Sequence, residues 1–69
     1  MLMSGTGRAA RLHYLPGTFR VLSNGDHVVC AVTGVRIPLH ELKYWSVERQ
    51  EAYADADASI EAERRAGAL

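Results

Sequence analysis

A chain of 69 residues with one cysteine, Cys30, cannot cross-link itself, and this removes the staple on which many domains of that size depend. Apolar packing, a metal ion or a second copy must take its place. So short a chain buries only about 60% of the surface that its unfolded form exposes. A deep catalytic cleft is therefore not expected. An unpaired thiol suits a reducing compartment better than a secretory route, and residues 1–7 hold no apolar run long enough for a signal peptide or a membrane span. The expectation is a soluble, cytoplasmic protein with no membrane contact.

The residues around the cysteine are the most informative. Cys30, Ala31, Val32, Thr33 and Gly34, followed by Ile37 and Pro38, read as half of a zinc knuckle in which a hydroxyl stands where the second sulfur belongs. A structural zinc site needs four soft or borderline ligands, of which a knuckle supplies two. Thr33 is a poor ligand. His27 and His40 are the nearest substitutes, but on a strand positions 27 and 30 face opposite sides. The expectation is a metal-free knuckle-like turn, no cofactor, Cys30 as a small buried apolar side chain, and a positive φ at Gly34. A nucleophilic Cys30 with His13 or His27 as base has no diagnostic spacing, and no phosphate loop, two-histidine helix motif or serine elbow occurs. A non-enzymatic protein is expected.

Periodicity places the elements. Leu12 and Tyr14 alternate with Arg11 and His13 as in a strand, Pro16 and Gly17 turn the chain, and residues 18–22 alternate again. Asn24 and Gly25 carry a tight-hairpin signal before a returning strand at residues 27–32. Residues 35–37 make a further strand that Pro38 ends. Residues 42–45 fit a strand or the start of a helix opened at Pro38; Tyr44 and Trp45 favour the strand. Ser46 is a helix cap for residues 47–54, with Val47 and Ala54 towards the sheet. Asp55 and Asp57 mark a break or second cap before residues 58–66, and Gly67 a stop. In that last segment only Ile60 is large enough to bury much. The predicted fold is α+β: a small antiparallel β-meander of three to four short strands followed by a C-terminal helix. It divides into a flexible N-terminus (1–10), a single small domain (11–54) and an alanine-rich helical or partly disordered tail (55–69).

Charge is unevenly distributed although it sums to zero. Arg8, Arg11, Arg20, Arg36 and Lys43 outnumber Asp26 and Glu41 up to Trp45; beyond it Glu48, Glu51, Asp55, Asp57, Glu61 and Glu63 outnumber Arg49, Arg64 and Arg65. Scattered cations do not form a dense phosphate-binding stripe. Adjacent aromatics on a strand face opposite ways, so one of Tyr44 and Trp45 should enter the core and the other be partly exposed beside Arg36 and Lys43. Those four residues are the candidate binding surface, for protein or single-stranded nucleic acid.

Cys30, Gly34, Ile37, Pro38 and Leu42 resemble the short zinc finger of DnaK-suppressor-type transcription factors. That resemblance implies a β-hairpin and helix arrangement like a treble clef. It would place a second ligand pair near Glu51 and Ala54, neither of them cysteine. From Leu12 to Tyr53 the chain resembles more closely a family of short uncharacterised bacterial proteins, catalogued as a domain of unknown function. Tyr14, Leu15, Gly17, Val21, Leu22, Gly25, Asp26, Cys30 to Gly34, Ile37 to Leu39, Glu41, Leu42, Tyr44 to Val47 and Gln50 to Tyr53 carry it, with residues from Asp55 onward outside. No activity is implied. The expected function is a small protein-interaction module that binds an unidentified protein partner or a second copy of itself; the alternative is a nucleic-acid-associated regulator using the basic strands.

Overall fold

The computed structural model describes residues 7–67. Most of the segment expected to be flexible at residues 1–10 lies outside the described residues. Six strands, one 3-10 turn and one helix follow in order: β1 (Arg11–Leu15), β2 (Thr18–Ser23), β3 (His27–Val29), β4 (Arg36–Pro38), the turn (Leu39–Glu41), β5 (Tyr44–Ser46), β6 (Glu51–Tyr53) and α1 (Ala56–Arg65). The class is α+β, as expected. The strands pair as three separate antiparallel hairpins, β1–β2, β3–β4 and β5–β6, rather than as one meander.

The first hairpin turns where Pro16 and Gly17 separate the pair Leu15 and Thr18. Proline fixes a negative φ at the first central position, and Gly17, at φ +77°, takes the second. The hairpin expected at Asn24–Gly25 does not form. β2 and β3 lie in different sheets, and neither residue has a positive φ. Gly25 is needed for close approach instead: a Cβ there would overlap the backbone of Ala9 and Ala10. That neighbouring segment belongs to the fold. Ala10 donates to His27 O at 2.7 Å, Asp26 donates to Arg8 O at 3.1 Å, and Ala10 is buried.

In the second hairpin Val28 and Ile37 pair and enter the core, while His27, Val29, Arg36 and Pro38 share the opposite face. The knuckle-like turn closes it. Gly34, at φ +79°, donates to Cys30 O at 3.0 Å, and Cys30 donates to Val35 O at 2.9 Å. β3 ends at Val29, short of the expected residue 32. From there Cys30 bridges Ala52 and Ala31 donates to Ala52 O at 2.9 Å, tying the second hairpin to the third.

The helix expected at residues 47–54 is absent, and the strand expected at 42–45 forms at β5. Ser46 does accept a hydrogen bond from the Arg49 amide, at 3.0 Å, but the bond closes a hairpin loop and not a helical turn. Gln50, the one described non-glycine residue with a positive φ (+53°), then reverses the chain into β6. Ala52 and Tyr53 are almost wholly buried in that strand, whereas Val47 is exposed in the loop. Burial of a two-residue apolar pair in an extended segment has overridden the local cap signal.

The helix α1 begins two residues before the expected start. Asp55 is its N-cap and accepts from the Ala58 amide at 2.8 Å. Its contact face is made by Ala58 and Ala62, which are buried; Ile60, expected to be the buried residue, is 55% exposed. Small side chains let the helix pack against β5 and β6, and Ile60, two positions from each alanine and so about 200° round the helix, falls on the far face. Replacing Asp55 by alanine should lower stability by about 1 kcal/mol, with asparagine close to neutral. Urea midpoints of the two variants test the cap; equal losses would count against it.

Candidate functional site

Of the four expected binding residues, Trp45 has a structural task. It is half-buried, stacked on Tyr14 at a centroid distance of 6.0 Å and met edge-on by Phe19 at 5.7 Å. Its Nε1 donates to Leu15 O at 2.9 Å. The indole thus clamps the first hairpin to the third and is not a free contact surface. Tyr44, its neighbour, faces the other way and is exposed, as strand alternation requires. Arg36 and Lys43 are exposed too, but Arg36 stands on β4 and belongs to a cleft that Lys43, Tyr44 and Trp45 do not line.

Gln50 completes the clamp. Its Oε1 accepts from the Tyr14 amide and its Nε2 donates to Tyr14 O, both at 2.8 Å, so one carboxamide pairs with β1 as a neighbouring strand would. The geometry of β2 follows from this. Tyr14 turns its N–H and C=O away from β2, and in an antiparallel ladder its register partner Phe19 must then turn its own pair outwards on the far edge. Among the described residues that edge meets no backbone partner. Val21 and Leu22 on β2 are 49% and 58% exposed, and an irregularity in register lies opposite them between Arg11 and Leu12. Sequence reasoning missed Gln50 because a glutamine carries no signal for standing in as a strand.

A cleft of about 420 Å³ is lined by Asp26, His27, Arg36, Pro38 and His40. At its base His27 is only 8% exposed and sets Nδ1 at 2.6 Å from Asp26 Oδ1. Asp26 is itself held, accepting at Oδ2 from the Gly7 amide at 2.8 Å. The hydrogen bond with His27, followed by that from Gly7, keeps the Asp26 carboxyl below its usual range. His27 and His40, the nearest substitute ligands in the sequence, do not assemble a metal site: no group of three or more His, Cys, Asp or Glu among the described residues is placed to hold a metal ion.

The Cys30 turn keeps the outline of a finger without its donor set. The sulfur is 2% exposed and accepts from the Thr33 amide at 3.4 Å. Burial opposes ionisation of this thiol, but the Thr33 hydroxyl and the amides of Thr33, Ala54 and Val32 outweigh it and hold the group below its ordinary value. Ala54, one of the two positions expected for a second ligand pair, has no donor side chain. Glu51, the other expected position, spends its carboxylate on the Tyr53 hydroxyl at 2.9 Å. One thiol with such neighbours does not fit zinc.

Residues 21–62 match the profile of a family described as an uncharacterized protein conserved in bacteria, DUF2093. The chain belongs to this family. No curated protein and no solved structure matches it. The DUF2093 match covers the cleft residues, the Cys30 turn and Gln50, starting within β2 and so leaving out β1. It also continues into α1 as far as Ala62, beyond the expected limit at Asp55, which agrees with the burial of Ala58 and Ala62 against the sheets. No helix among the described residues of this DUF2093 chain is long and apolar enough to cross a membrane.

Proposed function

We propose that the chain is a small cytoplasmic, non-enzymatic interaction module that captures an extended, acidic segment of a partner protein by strand addition to β2. The outer edge of β2, which meets no backbone partner among the described residues, is the observation that carries this reading. Edge addition supplies affinity through main-chain hydrogen bonds and specificity through alternate side chains. Here the outward backbone of Phe19 provides the first, and Val21 and Leu22 provide exposed apolar contacts on the two faces. Charge gives the partner its sign. Between residues 7 and 25 the ionised side chains are Arg8, Arg11 and Arg20, with no Asp or Glu among them. An extended segment in which acidic and apolar residues alternate complements that surface.

Selection from a random-peptide library, followed by amide hydrogen exchange on the bound chain, tests the proposal. Recovered peptides should alternate acidic and apolar residues and should slow exchange at Phe19, and Arg20→Glu should weaken them by roughly tenfold or more. Protection elsewhere with β2 unchanged would refute it. So would tighter binding of single-stranded DNA that falls steeply with salt, the signature of a phosphate reader.

A further inference from the structure

The cleft beside β3 and β4 is separate from the β2 edge, and its chemistry is different. His27 is more than nine-tenths buried, yet its Nε2 has no partner among the described residues. His27 is one of the residues that line the cleft, so its ring edge borders that space. The side chain is also aimed. The pairs His27–Pro38 and Val29–Arg36 put Arg36 on the same face of the ribbon as His27, and the 3-10 turn brings His40 to the same cleft. Three nitrogen-bearing side chains from three elements thus border one space, and its volume is within the range of small-ligand pockets.

We infer that this cleft binds a small phosphate monoester, held by Arg36, His40 and Nε2 of His27; Asp26, which also lines the cleft, has one oxygen on His27 Nδ1 and the other on the Gly7 amide. Arginine supplies a planar fork for two phosphate oxygens. A tetrahedral group has a third oxygen to offer a donor approaching from another direction, which a planar carboxylate lacks. Asp26 locks the His27 ring through Nδ1, and a ring that donates from both nitrogens can serve Asp26 and an anion together. The charged and titratable groups around it are Asp26 and Arg36, with His40 and its neighbour Glu41 on the turn and Arg8 on the segment paired to Asp26. Glu41 lies 3.5 Å from His40, but both side chains are mostly exposed, so the pair is weak and His40 can swing to a ligand.

Titration of the full isotope-labelled chain with phenyl phosphate, inorganic phosphate and benzoate, followed by NMR, decides the matter. Both phosphates should give saturable shifts at His27, Arg36 and His40. Arg36→Gln should weaken phenyl phosphate by about tenfold or more, and His40→Gln by several-fold. Arg65→Gln, which removes the same charge from α1, should change affinity by less than about twofold, because exposed charges far from a ligand are screened. His27→Gln risks unfolding a buried position, so the argument rests on the two exposed variants. Unsaturable shifts would overturn the assignment, as would benzoate binding equal to phenyl phosphate or equal losses in Arg36→Gln and Arg65→Gln.

Discussion

Tyr53→Ala is expected to leave the chain unfolded at room temperature. Tyr53 is 1% exposed, the largest side chain so deeply buried. Truncating a buried aromatic to alanine costs about 3–5 kcal/mol, whereas at 0.05–0.15 kcal/mol per residue the whole fold holds roughly 3–10 kcal/mol. The hydroxyl adds to the loss. It accepts from Arg49 Nε and Nη2 at 3.2 and 3.0 Å and donates to Glu51 at 2.9 Å, while Arg49 Nη2 reaches on to Glu63 of α1 at 2.6 Å. Burial, the leading cause, raises the phenol above its ordinary value, so it stays protonated and able to donate. Tyr53→Phe keeps the ring and should cost only about 1–2 kcal/mol, the loss of a partly buried hydrogen-bond hub. Circular dichroism with urea titration separates the two. A cooperative transition in Tyr53→Ala near the wild-type midpoint would show that the core does not depend on this ring.

Gly25→Ala should be nearly as damaging, at about 3 kcal/mol, because backbone and not a flexible side chain occupies the space that a methyl group needs. Ala9 and Ala10 would have to withdraw, and the bonds from Ala10 to His27 O and from Asp26 to Arg8 O would stretch or break. Gly34 is the informative contrast. A Cβ there meets nothing within 4 Å, so Gly34→Ala costs only the left-handed backbone, roughly 1–2 kcal/mol. A β-branched Gly34→Val costs more, while Thr33→Ser keeps the exposed hydroxyl that accepts from Val35 and should be mild. Thermal and urea unfolding of this set should rank Gly25→Ala above Gly34→Ala. The reverse order would mean that the segment at residues 8–10 does not pack as described.

The contrast between these glycines shows what was legible in the sequence. Gly17 and Gly34 act locally through φ, and Pro16–Gly17 and Thr33–Gly34 were accordingly read as turns. Gly25 acts through Ala9 and Ala10, an irregular segment distant in sequence, and the Asn-Gly pair is consequently a false hairpin signal. Tyr44 and Trp45 were legible as a strand because alternation is a local property. The loop at residues 47–50 was not: Ser46 followed by Glu48 and Arg49 carries the same local chemistry as a helix start, and only the pairing of Gln50 with Tyr14 and the burial of Ala52 and Tyr53 decide for β6. Arg36 was found as an exposed cation. Its companions Asp26, His27 and His40 were not assembled with it, because the register of β3 on β4 joins them.

The carboxamide of Gln50 also sets a limit on growth. It pairs with β1 at Tyr14, and β2 meets no backbone partner among the described residues, so two copies of the first hairpin that joined through β2 would form a four-stranded ribbon with a carboxamide on each outer strand. Elongation of that ribbon beyond the pair would have to displace both carboxamides.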